Sequence, residues 1–357
     1  MEASLNIFID TLLTTAAKRQ ASNIHLTVGS SPALRIDEEL IELSEESAVT
    51  ELLIKQLADV WLDPEQKKLL QEKKSLVCTK AVGKKFRIKI TFFFQKSQLS
   101  AAVRIIPSKI PQLVTLGLPK SAYGLIEKTA GLIVIAGAYG SGRTTTIAAM
   151  VEEINKNRKA SIITLERPIE FLFFSNQSII EQREVGIDAN SFSSALQVAQ
   201  DSDADVVAVC SSEEREALPV AIAFAASGRL AIVHMNTINV QQTLEELIAS
   251  FPTDDRQRGQ SLLGESLLGV VVQQLLPKVG GGQVLAAEVL VATDPVKALI
   301  REGRLTQITN VIQSSRTEGM LSLDQSLVEL VKSGDVLLEH AEEYVADPKI
   351  FRTMARS

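Results

Sequence analysis

Cysteine is nearly absent from this chain of 357 residues: Cys78 and Cys210 are all it has. That scarcity excludes a disulfide framework and a four-cysteine zinc site. Long apolar runs are missing as well. The densest stretches, Gly131–Ala138 and Leu267–Val272, have the size of a buried strand or helix segment, well short of the roughly 18 residues a membrane helix needs. No basic stretch leads into an apolar core at the N-terminus, so no signal peptide is expected. Neither sign of charge dominates. The 37 basic and 43 acidic side chains leave a net charge of −6, which argues against non-specific nucleic-acid binding while leaving local basic patches open. What is present is an apolar content of 45%, too high with so balanced a charge for a disordered chain. The length exceeds one ordinary core and implies two domains. The class that remains is a soluble, reduced, cytosolic protein with no transmembrane segment.

Periodicity then organises the chain. Within Leu5–Gln20, the residues Leu5, Phe8, Ile9, Leu12, Leu13 and Ala16 share one face at helical spacing. Asn23–Val28 alternates and stops at Gly29-Ser30-Ser31-Pro32, a strand and turn; Ala33–Ile36 and Glu39–Leu43 form a hairpin. Thr50–Trp61 is an amphipathic helix, and Asp63 before Pro64 is a helix N-cap with proline at the first helical position. Lys84–Thr91 and Ser100–Ile106 are strands. Between Pro107 and Pro119 neither period survives, which marks a linker. It is placed at residues 111–120, between a domain of residues 1–110 and one of residues 121–357. From Gly131 short β-rich runs, Leu132–Ala136, Ser161–Leu165, Val206–Val209 and Leu230–Val233, alternate with helical segments such as Thr144–Asn155. This is the pattern of a mainly parallel α/β sheet. Beyond Phe251 the expectation is mostly helical: Asp255–Leu276, Pro295–Glu302, Leu305–Ser314 and Ser322–Lys332, with a Gly280-Gly281-Gly282 turn before a strand at Val284–Val291.

The most chemically explicit segment is Gly137-Ala138-Tyr139-Gly140-Ser141-Gly142-Arg143-Thr144. It fits the phosphate-loop frame of four variable residues between glycines followed by a cation and a hydroxyl, between a buried strand and a helix. Glycines let backbone N–H groups turn inward and cradle phosphate oxygens at a helix N-terminus. Arg143 stands where a lysine is expected. A guanidinium is larger, planar and forked, and does not simply replace an ammonium. The plainer alternative is a glycine-rich strand–helix turn without nucleotide.

Three further segments extend the pattern: Ile162-Ile163-Thr164-Leu165-Glu166-Arg167-Pro168-Ile169-Glu170-Phe171, Gln182-Arg183-Glu184-Val185 and Leu299-Ile300-Arg301-Glu302. With the phosphate loop they resemble the type IV pilus retraction ATPases, the PilT/PilU branch of the type II secretion ATPase superfamily. The resemblance runs from Ala21-Ser22-Asn23-Ile24-His25-Leu26 to Gly319-Met320. It implies an N-terminal PAS-like α+β domain and a RecA-like P-loop NTPase domain with a helical C-terminal part. It also implies a ring of six subunits and ATP with Mg held near a neighbouring subunit. The implied location is cytoplasmic, at the inner-membrane pilus base. By resemblance, nucleotide contacts fall on Gly137, Gly140, Ser141, Gly142, Arg143, Thr144, Thr145 and Arg104. Thr144 is the magnesium position, Glu166 the candidate base, and Glu170 the second retained acid.

Several positions depart from the family pattern. The acid between Glu166 and Glu170 is Arg167; the Walker B glutamate position is Ser211, with Glu213 and Glu214 arriving late; the His-box histidine is Asn236, with His234 two residues before it. Family arginines fall near Lys89, Ser97 and Arg104, and at Gln197 and Asp201. Hydrolysis needs a carboxylate for water, a magnesium shell and cations facing phosphate. Losing one such group costs about 10²–10⁴-fold in rate. Arg167 is expected to disturb magnesium, and hydrolysis is expected to be weak or absent. The leading expectation is a degenerate subunit that joins or regulates a competent retraction hexamer through the inner-membrane platform protein. The alternatives are an active ATPase with Arg143 as phosphate clamp, and a nucleotide-independent interaction protein. Lys84, Lys85, Arg87 and Lys89 are either a solvated basic face or a contact to a neighbour's nucleotide.

Overall fold

A computed structural model describes residues 2–36, 39–83, 85–107, 109–210 and 214–356. The chain divides into two compact units, one of residues 1–109 with 170–172 and one of residues 110–169 with 173–357.

The first unit runs α1 (Glu2–Lys18), β1 (Asn23–Leu26), β2 (Ala33–Ile36), β3 (Glu39–Glu42), α2 (Glu51–Trp61), α3 (Pro64–Lys73), β4 (Ser75–Val82), β5 (Phe86–Gln95) and β6 (Gln98–Ile106). Among the described residues the strands form one antiparallel sheet in the order β3-β2-β1-β6-β5-β4. Alternation decides its faces. Ile88, Ile90, Phe92, Ala101 and Val103 point into a core shared with Leu13, Leu57 and Trp61 of the helices. The opposite face carries Arg35, Asn23, Arg104, Lys89 and Thr79 as successive cross-strand partners. Asp63 caps α3 as its sequence implies, accepting from the Gln66 N–H at 2.8 Å. β4 was not expected: it is a sheet edge on which Cys78 is the one fully buried residue, so its apolar alternation is faint.

The second unit runs α4 (Lys120–Ile126), β7 (Gly131–Gly137), α5 (Arg143–Asn157), β8 (Ser161–Glu166), β9 (Ile179–Glu184), α6 (Phe192–Asp201), β10 (Val206–Val209), α7 (Ala217–Ala226), β11 (Leu230–Met235), α8 (Val240–Ala249), α9 (Arg256–Ser266), β12 (Leu267–Pro277), β13 (Gln283–Val291), α10 (Asp294–Arg301), α11 (Ile308–Ser314), α12 (Leu323–Lys332), α13 (Leu338–Glu342) and α14 (Pro348–Arg356). The sheet order is β13-β12-β7-β11-β10-β8-β9, parallel except for the β12–β13 pair. Both faces are covered. Leu132 and Val134 face a core with Phe192, Phe224 and Leu247, while Ile133 and Ile135 face one with Leu125, Met150 and Ile154. A separate apolar cluster, with Leu327, Val336 and Phe351, joins the last helices to Leu276 and Ala286.

One expectation is corrected here. Asp255–Leu276 is not one helix: α9 ends at Ser266 and Leu267 opens β12. Residues 111–120, expected as the linker, include buried side chains. Leu113 and Leu118 are buried in the second unit's core, and Leu113–Thr115 forms a short 3₁₀ turn.

Candidate functional site

Parallel strands bring their C-terminal ends to one edge of the sheet, where α/β folds place ligands. In register, Met235 lies beside Ala136, Val209 beside Val233, and Leu165 beside Val209. Gly137, Asn236, Cys210 and Glu166 therefore leave the sheet along the same edge. β12 adds Gln273 directly opposite Gly137.

The phosphate loop keeps its expected backbone. Gly142 is the N-cap of α5 with φ of 87°, and the first ladder bond runs from the Thr146 N–H to the Gly142 carbonyl at 3.0 Å. The N–H groups of Arg143, Thr144 and Thr145 precede that bond and face out along the helix axis. Gly137 has φ of 148°, and a Cβ there would lie 2.4 Å from both the Gln273 carbonyl and Ser141 Oγ. Gly140 has φ of 83° and open space around its missing Cβ. Thr144 and Thr145 are half-buried, and Tyr139 is almost wholly exposed. This cradle and helix terminus fit a phosphate group, and Thr144 is the residue that would hold a magnesium ion brought with it. Among the described residues no cluster of three or more histidine, cysteine or acidic side chains stands ready to bind a metal without such a ligand.

The cation of the loop is held elsewhere. Arg143 is only 6% exposed. Its Nη1 donates to the Met235 carbonyl at 2.5 Å and also to Asn236 Oδ1. Both acceptors are neutral, and burial lowers the guanidinium to about 10. It remains charged at neutral pH. Asn236 was singled out only as a substituted histidine; that it accepts from Arg143 was not expected.

Glu166 ends β8 and is 3% exposed. Its Oε1 accepts from Thr164 Oγ1 at 2.7 Å and from Gln182 Nε2 at 3.0 Å. Arg167, expected to disturb magnesium, has three contacts within the fold. Its Nη2 pairs with Glu214 at 2.9 Å, its Nε donates to the Val185 carbonyl at 3.2 Å, and its head lies 5.3 Å from the Phe192 ring centroid. Glu214 also accepts from the Phe192 N–H at 2.9 Å, so Arg167 and Glu214 together fasten the start of α6. Glu170 belongs to the first unit, where it pairs with Lys89 at 2.8 Å while the Arg87 Nε donates to its carbonyl at 2.6 Å. The basic strand is thus partly a clamp on Glu170. Arg104 sits in the same unit, across from Lys89 and Asn23. Ser97 lies in the β5–β6 turn with φ of 65°, while Gln197 and Asp201 are exposed on α6. Ser211, Ser212, Glu213 and Lys84 lie outside the described residues.

One residue of this edge was missed. Gln273 is 1% exposed and donates from Nε2 to Thr146 Oγ1 at 2.9 Å, tying β12 to α5 beneath the loop. An amide inside the apolar run Val270–Leu276 was the available signal.

The family model described as type II/IV secretion system protein matches residues 1–282. The type IV pilus retraction ATPase PilT of Pseudomonas aeruginosa is 32% identical over 343 residues, covering 96% of this chain and 99% of that one. The type IV pilus ATPase PilU of the same organism is 28% identical, covering 97% and 90%. A crystal structure of the pilus retraction motor PilT with bound ADP superposes with a TM-score of 0.84 at 34% identity, covering 96% of this chain and 98% of that one. Its match supports the mixed α/β fold, with the larger sheet consistent with a RecA-like domain. With a phosphate-loop frame at the edge of such a sheet and similarity along almost its whole length, the chain belongs to the type II/IV secretion system protein family, and within it to the type IV pilus retraction ATPases.

Proposed function

We propose that this chain is a retraction-motor subunit that keeps a phosphate-binding frame, turns over ATP weakly or not at all, and acts by joining or regulating a competent retraction ATPase. The observation that carries this reading is the state of Glu166. A general base must reach the proton it takes, yet this carboxylate is 3% exposed and already accepts from Thr164 and Gln182. The retained glycine geometry supports binding of a nucleotide phosphate, with Thr144 as the magnesium hydroxyl. In this reading the first unit is PAS-like, the second RecA-like, and the assembly a homo- or hetero-hexamer. It works on the cytoplasmic side of the inner membrane, against the pilus platform protein. No described helix is long and apolar enough to cross a membrane, which is compatible with peripheral attachment.

The test is ATP turnover by the purified protein, alone and mixed with a competent PilT-type ATPase. The expected result is negligible turnover alone and a changed rate for the partner on mixing. Ordinary magnesium-dependent turnover by the chain alone, abolished by Glu166→Ala, would overturn the proposal.

A further inference from the structure

We infer that Asn236 is a positioning residue that latches Arg143 to the end of β11 and so sets the affinity of the Gly137–Thr145 loop for phosphate. The inference rests on the proposal that this loop keeps a phosphate-binding frame, and it deepens that proposal by naming what regulates the frame.

The contact is built from both sides. Arg143 is the first residue of α5, so its backbone N–H belongs to the helix terminus on which a phosphate would sit. Its side chain instead runs beneath the loop to the Met235 carbonyl and Asn236 Oδ1. The backbone on both sides of Asn236 is anchored. Met235 before it is paired with Ala136 of β7. After it, Thr237 and Thr243 share a hydrogen bond of 2.6 Å, both fully buried, which ties the segment to α8. The backbone that carries the acceptor therefore cannot follow Arg143 if the guanidinium moves, although the Asn236 side chain is exposed.

The competing partner is an anion. A guanidinium binds a phosphate oxygen more strongly than a neutral amide or carbonyl oxygen, because both partners are then charged. Phosphate in the loop draws on the same donors, so bringing Arg143 to it requires opening the latch. The measured affinity rises in proportion to the fraction of molecules already open. The side chain at 236 sets that fraction. Asparagine offers one neutral oxygen, alanine leaves the Met235 carbonyl alone, and aspartate converts the contact into an ion pair.

The experiment is calorimetric titration with inorganic pyrophosphate and with MgATP. It uses the full chain and its Asn236→Ala, Asn236→Leu, Asn236→Asp and Arg143→Ala variants, with Arg143→Ala also combined with Asn236→Ala and with Asn236→Leu. Asn236→Ala is expected to bind pyrophosphate about tenfold tighter than the parent, the size of one hydrogen bond to a charged donor. Asn236→Asp is expected to bind several-fold weaker. Asn236→Ala is not expected to change affinity once Arg143 is alanine, because a latch is a coupling between two residues. Unchanged or weaker binding by Asn236→Ala overturns the latch, as does the same gain without Arg143, or no pyrophosphate binding by any variant at millimolar concentration. If Asn236→Ala does not fold, Asn236→Leu, which is neutral and has no acceptor, gives the same decision with and without Arg143. These readouts are affinities. Ordinary ATP turnover by the parent would refute the proposed function while leaving the ranking of the variants intact.

Discussion

Gly137 and Gly140 occupy the same loop under different constraints. Both have positive φ, but a Cβ at Gly137 meets the Gln273 carbonyl and Ser141 Oγ at 2.4 Å, while one at Gly140 meets nothing within 4 Å. Gly137→Ala should cost on the order of 3 kcal/mol or more, combining strain with a clash against backbone. Gly140→Ala should cost about 1–2 kcal/mol, the strain alone. Urea denaturation of the two variants checks the order, and equal losses would show that β12 yields. The glycines were legible in the sequence because their backbone demands are local. The destination of the Arg143 side chain was not, since it depends on Asn236, a residue 93 positions away. The contacts of Arg167 were hidden for the same reason. Its charge was visible, but its partners Glu214 and Phe192 are brought to it by the fold.

At the scale of elements, the parallel strands were legible as short β-branched runs, and β12 was not. Its run Leu267–Leu276 follows α9 without a break, and periodicity does not separate a buried strand from a buried helix segment. Gly269 and the Val270-Val271-Val272 triplet were the contrary signals. A Cβ at Gly269 would lie 2.7 Å from the Leu290 carbonyl of β13. The neighbouring strand carries a titrating contact. Glu288 of β13 accepts from the Val240 N–H at the start of α8 at 2.8 Å. Burial raises its carboxyl above the ordinary 4.5, that N–H opposes the shift, and the charge of Asp324 adds to it. Asp324, in the first turn of α12, is likewise raised above 3.8 by burial. A carboxyl raised by folding stabilises fully below its unfolded pKa, and that contribution is lost as pH climbs through the folded pKa. Stability contributed by this pair should therefore fall as pH rises from about 4 through the raised values. Glu288→Gln should remove its share, so its melting temperature relative to the parent should be higher at pH 7 than at pH 4. Thermal melts across that range decide it, and a difference independent of pH would refute the shift.

The whole molecule divides into two compact units, but the chain does not respect a single boundary. Residues 170–172 return to the first unit, a crossing that no composition or period announced, because three residues are too few to show one. Glu170 is the anchor of that return. Its carboxylate meets Lys89 at 2.8 Å with only 11% of its side chain exposed, and Arg87 holds its carbonyl. The sequence offered Glu170 as a retained acid of the nucleotide site, whereas its surroundings are those of a structural ion pair. The two roles separate cleanly. Removing one partner of a largely buried pair leaves the other charge uncompensated. Glu170→Ala should therefore destabilise the protein by about 1–3 kcal/mol, and most of that loss should disappear in a Lys89→Ala background. Denaturant melts of the two single variants and the double variant measure the coupling. An uncoupled pair, with Glu170→Ala altering nucleotide affinity at unchanged stability, would return Glu170 to the nucleotide site.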